Sequence, residues 1–62
     1  MTTTTMTEYD AVGIAEGWIP GNQDQIIEAW QLLIDTGLCW KLQGYFGRQA
    51  TYLIQQGICE AA

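Results

Sequence analysis

The chain has 62 residues, of which 48% are hydrophobic and 15% charged, and its seven acidic and two basic residues give a net charge of −5. This composition predicts one compact domain and excludes a disordered acidic tail, because so many apolar side chains favour a buried core. The negative charge argues against nucleic acid as a partner, since affinity for phosphate backbones comes largely from lysine and arginine.

The N-terminal segment MTTTTMTEYD lacks the basic and apolar regions of a secretory signal peptide, and the chain has no apolar run of membrane-spanning length. The sequence therefore predicts a cytoplasmic protein with no membrane partner. Residues 1–7 are rich in threonine and lack helical periodicity, which is typical of a flexible N-terminal lead-in. Residues 8–62 are then expected to form a single small helical domain.

The first predicted helix covers residues 8–16, the segment EYDAVGIAE. Its apolar residues recur at helical spacing, and acidic residues occupy the first turn, where the helix dipole favours them. Gly17 is expected to end this helix. The next segment, GWIPGN, contains Pro-Gly, which is typical of a type II turn. We expect Trp18 and Ile19 in this turn to pack onto the core.

The second predicted helix has the clearest signals in the chain. Asn22 followed by Gln25 is a capping-box pattern, and Gly37 suits a left-handed stop at the other end. Between them, apolar residues recur at helical spacing and predict one buried stripe. Because Trp30 lies at the centre of this stripe, it is expected to be a core residue. The stripe consists of Ile26, Ile27, Trp30, Leu33 and Ile34.

A single helical turn is predicted over residues 38–43, closed by Gly44. A last helix is predicted over residues 45–56, ending before Gly57. No segment alternates with period two for long enough to predict a strand. The predicted fold class is therefore all-α, a compact bundle of three short helices plus one helical turn.

Cys39 and Cys59 are expected to be free thiols, because cytoplasmic redox buffers keep such pairs reduced; a disulfide between them is the alternative. The chain has no histidine and no third cysteine. A closed metal site and a histidine-activated thiol nucleophile both require such residues. The sequence therefore predicts no catalytic residues, no metal and no cofactor, and the protein is not expected to be an enzyme.

The segment LCWKLQGYFGRQATYLIQQG, residues 38–57, concentrates aromatic residues, glycines and both cations of the chain. A small domain needs many of its large side chains for its core, so this aromatic group is interpreted first as core, and an aromatic hot spot for a partner is the alternative. Trp40 and Phe46 are expected to pack on each other across the corner between the last two helices. Gly47 is predicted to allow the close approach of the backbones there.

Tyr45, Arg48 and Tyr52 form the candidate protein-binding surface. The two tyrosines lie seven residues apart and off the predicted buried stripe. Arg48 lies in the first turn of the last helix, where the dipole disfavours a cation, so a compensating contact is expected. That contact is either an ion pair with Asp35 or Glu28, or one made with a partner, since arginine is enriched at binding hot spots.

The segment LIDTGLCWKLQGYFGRQATYLIQQGIC, with EAWQ upstream, resembles a family of small, mostly uncharacterised acidic proteins encoded by tailed bacteriophages. Members carry LIDTG, then WxLQGxFGR or WxLQGxYGR, then a closing LIxxG. The resemblance covers residues 24–59, and the chain has Gln49 where threonine is commoner. It implies a phage protein made in the cytoplasm of a bacterial host cell, and it brings no catalytic residues. The matching positions are Leu33 to Gly37, Trp40, Leu42 to Gly44, Phe46 to Arg48, Leu53, Ile54 and Gly57.

Two functions fit these observations. The first is a small phage-encoded binding module that attaches to a host or phage protein and modulates it, for example in host takeover or against host defence. The alternative is a self-assembling structural protein, such as a homodimer that buries surplus apolar surface. Imitation of DNA is disfavoured, because seven carboxylates without an acidic run reproduce phosphate spacing poorly.

Overall fold

This computed structural model describes residues 6–61, which contain three α-helices and one 3-10 turn. No β-strand occurs among these residues, and the predicted all-α fold class is confirmed. In chain order the elements are α1 (Glu8–Glu16), α2 (Gln23–Asp35), the 3-10 turn (Leu38–Trp40) and α3 (Gly44–Gln55).

Helix α1 begins at a capping box that the sequence analysis did not identify. The Asp10 amide donates to Thr7 Oγ1 at 3.1 Å, and the Thr7 amide donates to Asp10 Oδ2 at 3.4 Å. The lead-in predicted for residues 1–7 lies mostly outside the described residues, and Thr7 itself fixes the start of the helix. The helix ends at Gly17 as predicted, with φ of 91°, a conformation that glycine adopts without steric cost.

The segment after α1 turns one large side chain inward and its neighbour outward. Ile19 is partly buried and lies over Gly13, where a Cβ atom would come within 2.6 Å of Ile19 Cγ1. Trp18 is 54% exposed, so the prediction that it packs onto the core is wrong. The gap left by the missing side chain of Gly13 is filled by Ile19, and Trp18 lies instead beside Tyr9.

Helix α2 follows its prediction closely. The Gln25 amide donates to Asn22 Oδ1 at 2.8 Å, and the Asn22 amide donates to Gln25 Oε1 at 2.9 Å, which confirms the capping box. Trp30 is 3% exposed and belongs to the core, whereas Ile26 at the start of the stripe is 39% exposed. Gly37 adopts the predicted left-handed conformation, with φ of 77°.

The core lies between α1, α2 and α3, and the 3-10 turn contacts both α2 and α3. Its fully or nearly buried apolar residues come from every element and from the segment after α3. They are Ala11, Ile14, Ala29, Trp30, Leu33, Ile34, Cys39, Phe46, Ala50, Leu53 and Cys59.

The corner before α3 differs from its prediction. The helical turn is shorter than expected and ends at Trp40, and Gly44, predicted to close it, is the first residue of α3. The Trp40 ring lies beside Gly47, where a Cβ atom would be 3.5 Å from Trp40 Cε3. The expected packing of Trp40 on Phe46 is not formed. Successive residues of a helix point about 100° apart, so a ring beside residue 47 is not beside residue 46.

The last described residues fold back along the protein. Gly57 has φ of 76°, and the amide of Cys59 donates to the Leu53 carbonyl at 3.2 Å. The Gln31 side chain then binds the backbone of Glu60 twice, donating to its carbonyl at 2.8 Å and accepting from its amide at 2.9 Å. These bonds hold Glu60 against α2.

Candidate protein-binding surface

The three candidate residues, Tyr45, Arg48 and Tyr52, lie on one side of α3, which we call the α3 face. With 3.6 residues per turn, their spacing places them within about 60° of the helix circumference and along about 10 Å of its axis. Tyr45 is 46% exposed, Tyr52 is 52% exposed, and Arg48 is also exposed. The opposite side carries the buried residues Phe46, Ala50 and Leu53.

Tyr45 is the most constrained residue of the α3 face. Its ring makes edge contacts with Phe46 at a centroid distance of 5.3 Å and with the buried Trp30 at 6.2 Å. Tyr45 therefore covers the edge of the core with one part of its ring and presents the rest to solvent. Its orientation is fixed before any partner binds.

Arg48 packs against its own helix. Its Nη1 lies 3.1 Å from the position that a Cβ atom would take at Gly44, so the guanidinium covers the bare backbone there. Neither Asp35 nor Glu28 forms the expected ion pair with it, and no other carboxylate among residues 6–61 does so. Asp35 accepts instead from Gln31 Nε2 at 2.9 Å. The charge of Arg48 is thus left without a counter-ion in the part of the chain that the structure describes.

A second group of exposed aromatic residues was missed by the sequence analysis. The rings of Tyr9 and Trp18 meet edge to face at 5.5 Å, and Trp18 Nε1 donates to Glu16 Oε1 at 2.8 Å. Tyr9 is 67% exposed and Trp18 is 54% exposed. We call these three residues the α1 patch. The i, i+7 spacing of Tyr9 and Glu16 on α1 was the available signal, since it places them on one helix face.

Cys39 and Cys59 are free thiols, and both are buried. Burial raises the pKa of the Cys39 thiol. Burial, and to a smaller extent the negative charge of Asp35, raise the pKa of the Cys59 thiol, whose Sγ donates to the Ile27 carbonyl at 3.9 Å. Because the reactive form of cysteine is the thiolate, both side chains behave as small apolar core residues.

Residues 6–61 contain no surface pocket and no group of three or more side chains placed to hold a metal ion. None of the helices described is both long enough and apolar enough to cross a membrane. All buried side-chain nitrogen and oxygen atoms in this part of the chain have a hydrogen-bond partner.

Most of the chain matches the model of a known protein family. A family model described as "Domain of unknown function (DUF7417)" matches residues 20–62. No curated protein and no solved structure gives a significant match. The matched region contains α2, the 3-10 turn and α3, and therefore the whole α3 face, whereas the three residues of the α1 patch precede it.

Proposed function

We propose that this chain, which belongs to the DUF7417 family, is a small binding module that attaches to another protein through the α3 face and modulates it. The observation that carries this proposal is the joint exposure of Tyr45, Arg48 and Tyr52 on one side of a single helix. Tyrosine and arginine are enriched among the residues that dominate binding energies at protein interfaces.

The α3 face also offers a low conformational cost of binding. Tyr45 is already held by its contacts with Trp30 and Phe46, so little side-chain freedom is lost when a partner covers it. Tyr52 lies two helical turns away on a rigid element and supplies a second aromatic anchor. Between them, the guanidinium of Arg48, which has no ion pair among residues 6–61, offers a planar set of donors for carboxylate or carbonyl oxygens of a partner.

The resemblance to small proteins of tailed bacteriophages supports a partner in an infected bacterial cell. The segment WKLQGYFGR, on which that resemblance largely depends, starts in the 3-10 turn and ends in α3 with Arg48. We therefore place the proposed module in the host cytoplasm, bound to a host or phage protein. Host takeover and protection against host defence are the corresponding roles.

The test is capture of the partner from host-cell lysate by the immobilised protein, followed by affinity measurement with the captured protein. Arg48→Ala and Tyr52→Ala are each expected to weaken binding by about 2 kcal/mol, or about thirtyfold. Lys41→Ala is the matched control for charge, because it removes the other cation of the chain. Ile26→Ala is the control for an exposed large apolar side chain on another helix, because Ile26 lies on α2 and is 39% exposed. Full capture by both Arg48→Ala and Tyr52→Ala would refute the α3 face as the binding surface.

Self-assembly is the second candidate, and the extent of exposed apolar surface favours it. Sedimentation equilibrium separates a 6.9 kDa monomer from a species of twice that mass. A dimer that dissociates in Tyr52→Ala would reassign the α3 face to contact with a second copy. Seven large apolar side chains among the described residues are at least 39% exposed, namely Tyr9, Trp18, Ile26, Trp40, Tyr45, Tyr52 and Ile58.

A further inference from the structure

We propose that the α1 patch binds an arginine side chain carried by a basic segment of a partner protein. A guanidinium group is recognised by two features together: an aromatic face, which attracts the cation, and a carboxylate, which accepts its hydrogen bonds. The α1 patch brings both features within one small area, since Glu16 lies beside the indole of Trp18 and Tyr9 lies against the same indole.

The geometry of the patch is fixed although the patch is exposed. The hydrogen bond from Trp18 Nε1 to Glu16 Oε1, 2.8 Å long, holds the indole and the carboxylate together. The edge contact with Tyr9, at 5.5 Å, restrains the indole from another direction. Glu16 Oε2 accepts no hydrogen bond from residues 6–61, so one carboxylate oxygen stays available for a ligand. A ligand therefore meets an ordered site and loses little free energy in arranging it.

The distribution of charge identifies the occupant as cationic. Helix α1 contains three acidic residues and no basic one, and six of the seven acidic residues of the chain precede residue 36. Both cations, Lys41 and Arg48, follow residue 40. Complementary charge speeds association and selects partners, so the acidic helix α1 attracts a basic segment and repels an acidic one. A second copy, with its net charge of −5, is repelled on average.

Arginine fits the α1 patch better than lysine does. Its guanidinium is planar, so it can stack on the exposed part of an aromatic ring while directing N–H groups to a carboxylate in the same plane. A lysine ammonium is compact and strongly hydrated, and it has no planar face that could stack on the ring while its N–H groups donate to the carboxylate. The α1 patch is separate from the α3 face, so this inference does not depend on the function proposed for α3.

The experiment follows the indole N–H resonance of Trp18 in nitrogen-15 correlation spectra, assigned by its absence in Trp18→Phe. The probe is the peptide acetyl-Gly-Arg-Gly-Arg-Gly-amide, and the matched peptide carries lysine in place of both arginines. We expect a saturable shift with the arginine peptide and binding at least about threefold weaker with the lysine peptide. Glu16→Gln is expected to weaken binding of the arginine peptide about tenfold.

The matched control is Glu60→Gln, which removes the same charge at the other end of the chain and is expected to change binding less than twofold. Binding to Trp18→Ala is followed through the Tyr9 ring resonances. This variant should bind the arginine peptide about two- to fivefold more weakly, with its helical circular dichroism unchanged. If Glu60→Gln and Glu16→Gln weaken binding equally, the attraction comes from diffuse charge and the proposed site is wrong. The proposal is also wrong if the arginine peptide causes no saturable shift of the Trp18 resonance. A Trp18 resonance that moves with protein concentration alone would assign the patch to a second copy and also overturn the proposal.

Discussion

Replacing Trp30 by alanine tests whether the contact between α2 and α3 holds this small protein together. Trp30 is 3% exposed, and its ring lies 5.7 Å from Phe46 and 6.2 Å from Tyr45. Removing a buried tryptophan costs about 3–5 kcal/mol, since the lost burial is accompanied by a cavity. Each aromatic contact contributes about 0.5–1.5 kcal/mol beyond burial, which favours the upper part of that range.

That loss is comparable to the whole stability of the protein. At about 0.05–0.15 kcal/mol per residue, a chain of 62 residues has a free energy of unfolding of about 3–9 kcal/mol. Because the core of a chain below about 70 residues rarely supplies more than about 3–5 kcal/mol, Trp30→Ala is expected to leave a large fraction of the protein unfolded in the absence of denaturant. Trp30→Phe keeps a ring beside Phe46 and should retain a measurable, shifted unfolding transition.

The assay is urea-induced unfolding followed by far-ultraviolet circular dichroism. Trp18→Ala is the matched control, because it removes the same side chain from a position that is 54% exposed, and it should cost less than about 1 kcal/mol. The reasoning is refuted if Trp30→Ala and Trp18→Ala unfold at the same urea concentration. That result would mean that Trp30 contributes no more to the core than an exposed tryptophan.

Three further predictions concern the thiols, a buried glycine and a helix cap. Alkylation should be slow for Cys39 and Cys59 in the native protein and should add two groups after unfolding. An unfolded protein that takes up no alkyl group and has the mass of a disulfide would contradict their assignment as free thiols. Since burial raises both pKa values, the unfolded chain loses its thiol protons first, and the free energy of unfolding should fall as pH rises above about 9.0. Gly13→Ala should lower the free energy of unfolding by about 1–3 kcal/mol, because the added Cβ overlaps Ile19. In a chain that already carries Ile19→Ala, the same substitution should cost less. If Gly13→Ala is instead more stable than the parent, helix propensity outweighs packing at this position. Asn22→Ala should lower stability by about 1 kcal/mol in thermal melts, and Asn22→Ser by much less.

The helices were predictable because their signals are local. Asn22 and Gln25 are three residues apart, so their capping box depends on a few neighbouring dihedral angles and not on the rest of the fold. Gly17 and Gly37 mark helix ends because few other residues adopt their conformation. In these segments, local preference and tertiary packing require the same structure.

The side-chain directions in the connecting segments were not predictable in the same way. Trp18 and Ile19 are adjacent and both apolar, so composition alone predicts both in the core. Only the contact of Ile19 with Gly13 decides which of the two is buried, and that contact requires the path of the turn. The α1 patch was missed for this reason. The α3 face was found because it lies within one helix, where spacing determines direction.

The two hydrogen bonds between Gln31 and Glu60 have a consequence for amide hydrogen exchange. Glu60 is exposed and lies outside any helix, a position where backbone amides usually exchange with solvent almost freely. Its amide is held by a side chain from the middle of α2, which is 29 residues away. Exchange at Glu60 therefore requires Gln31 to release this amide, and where the release is a detachment of the whole tail from α2, Cys59 leaves the core as well. The protection of one surface amide thus reports whether the end of the chain opens alone or together with the helical core.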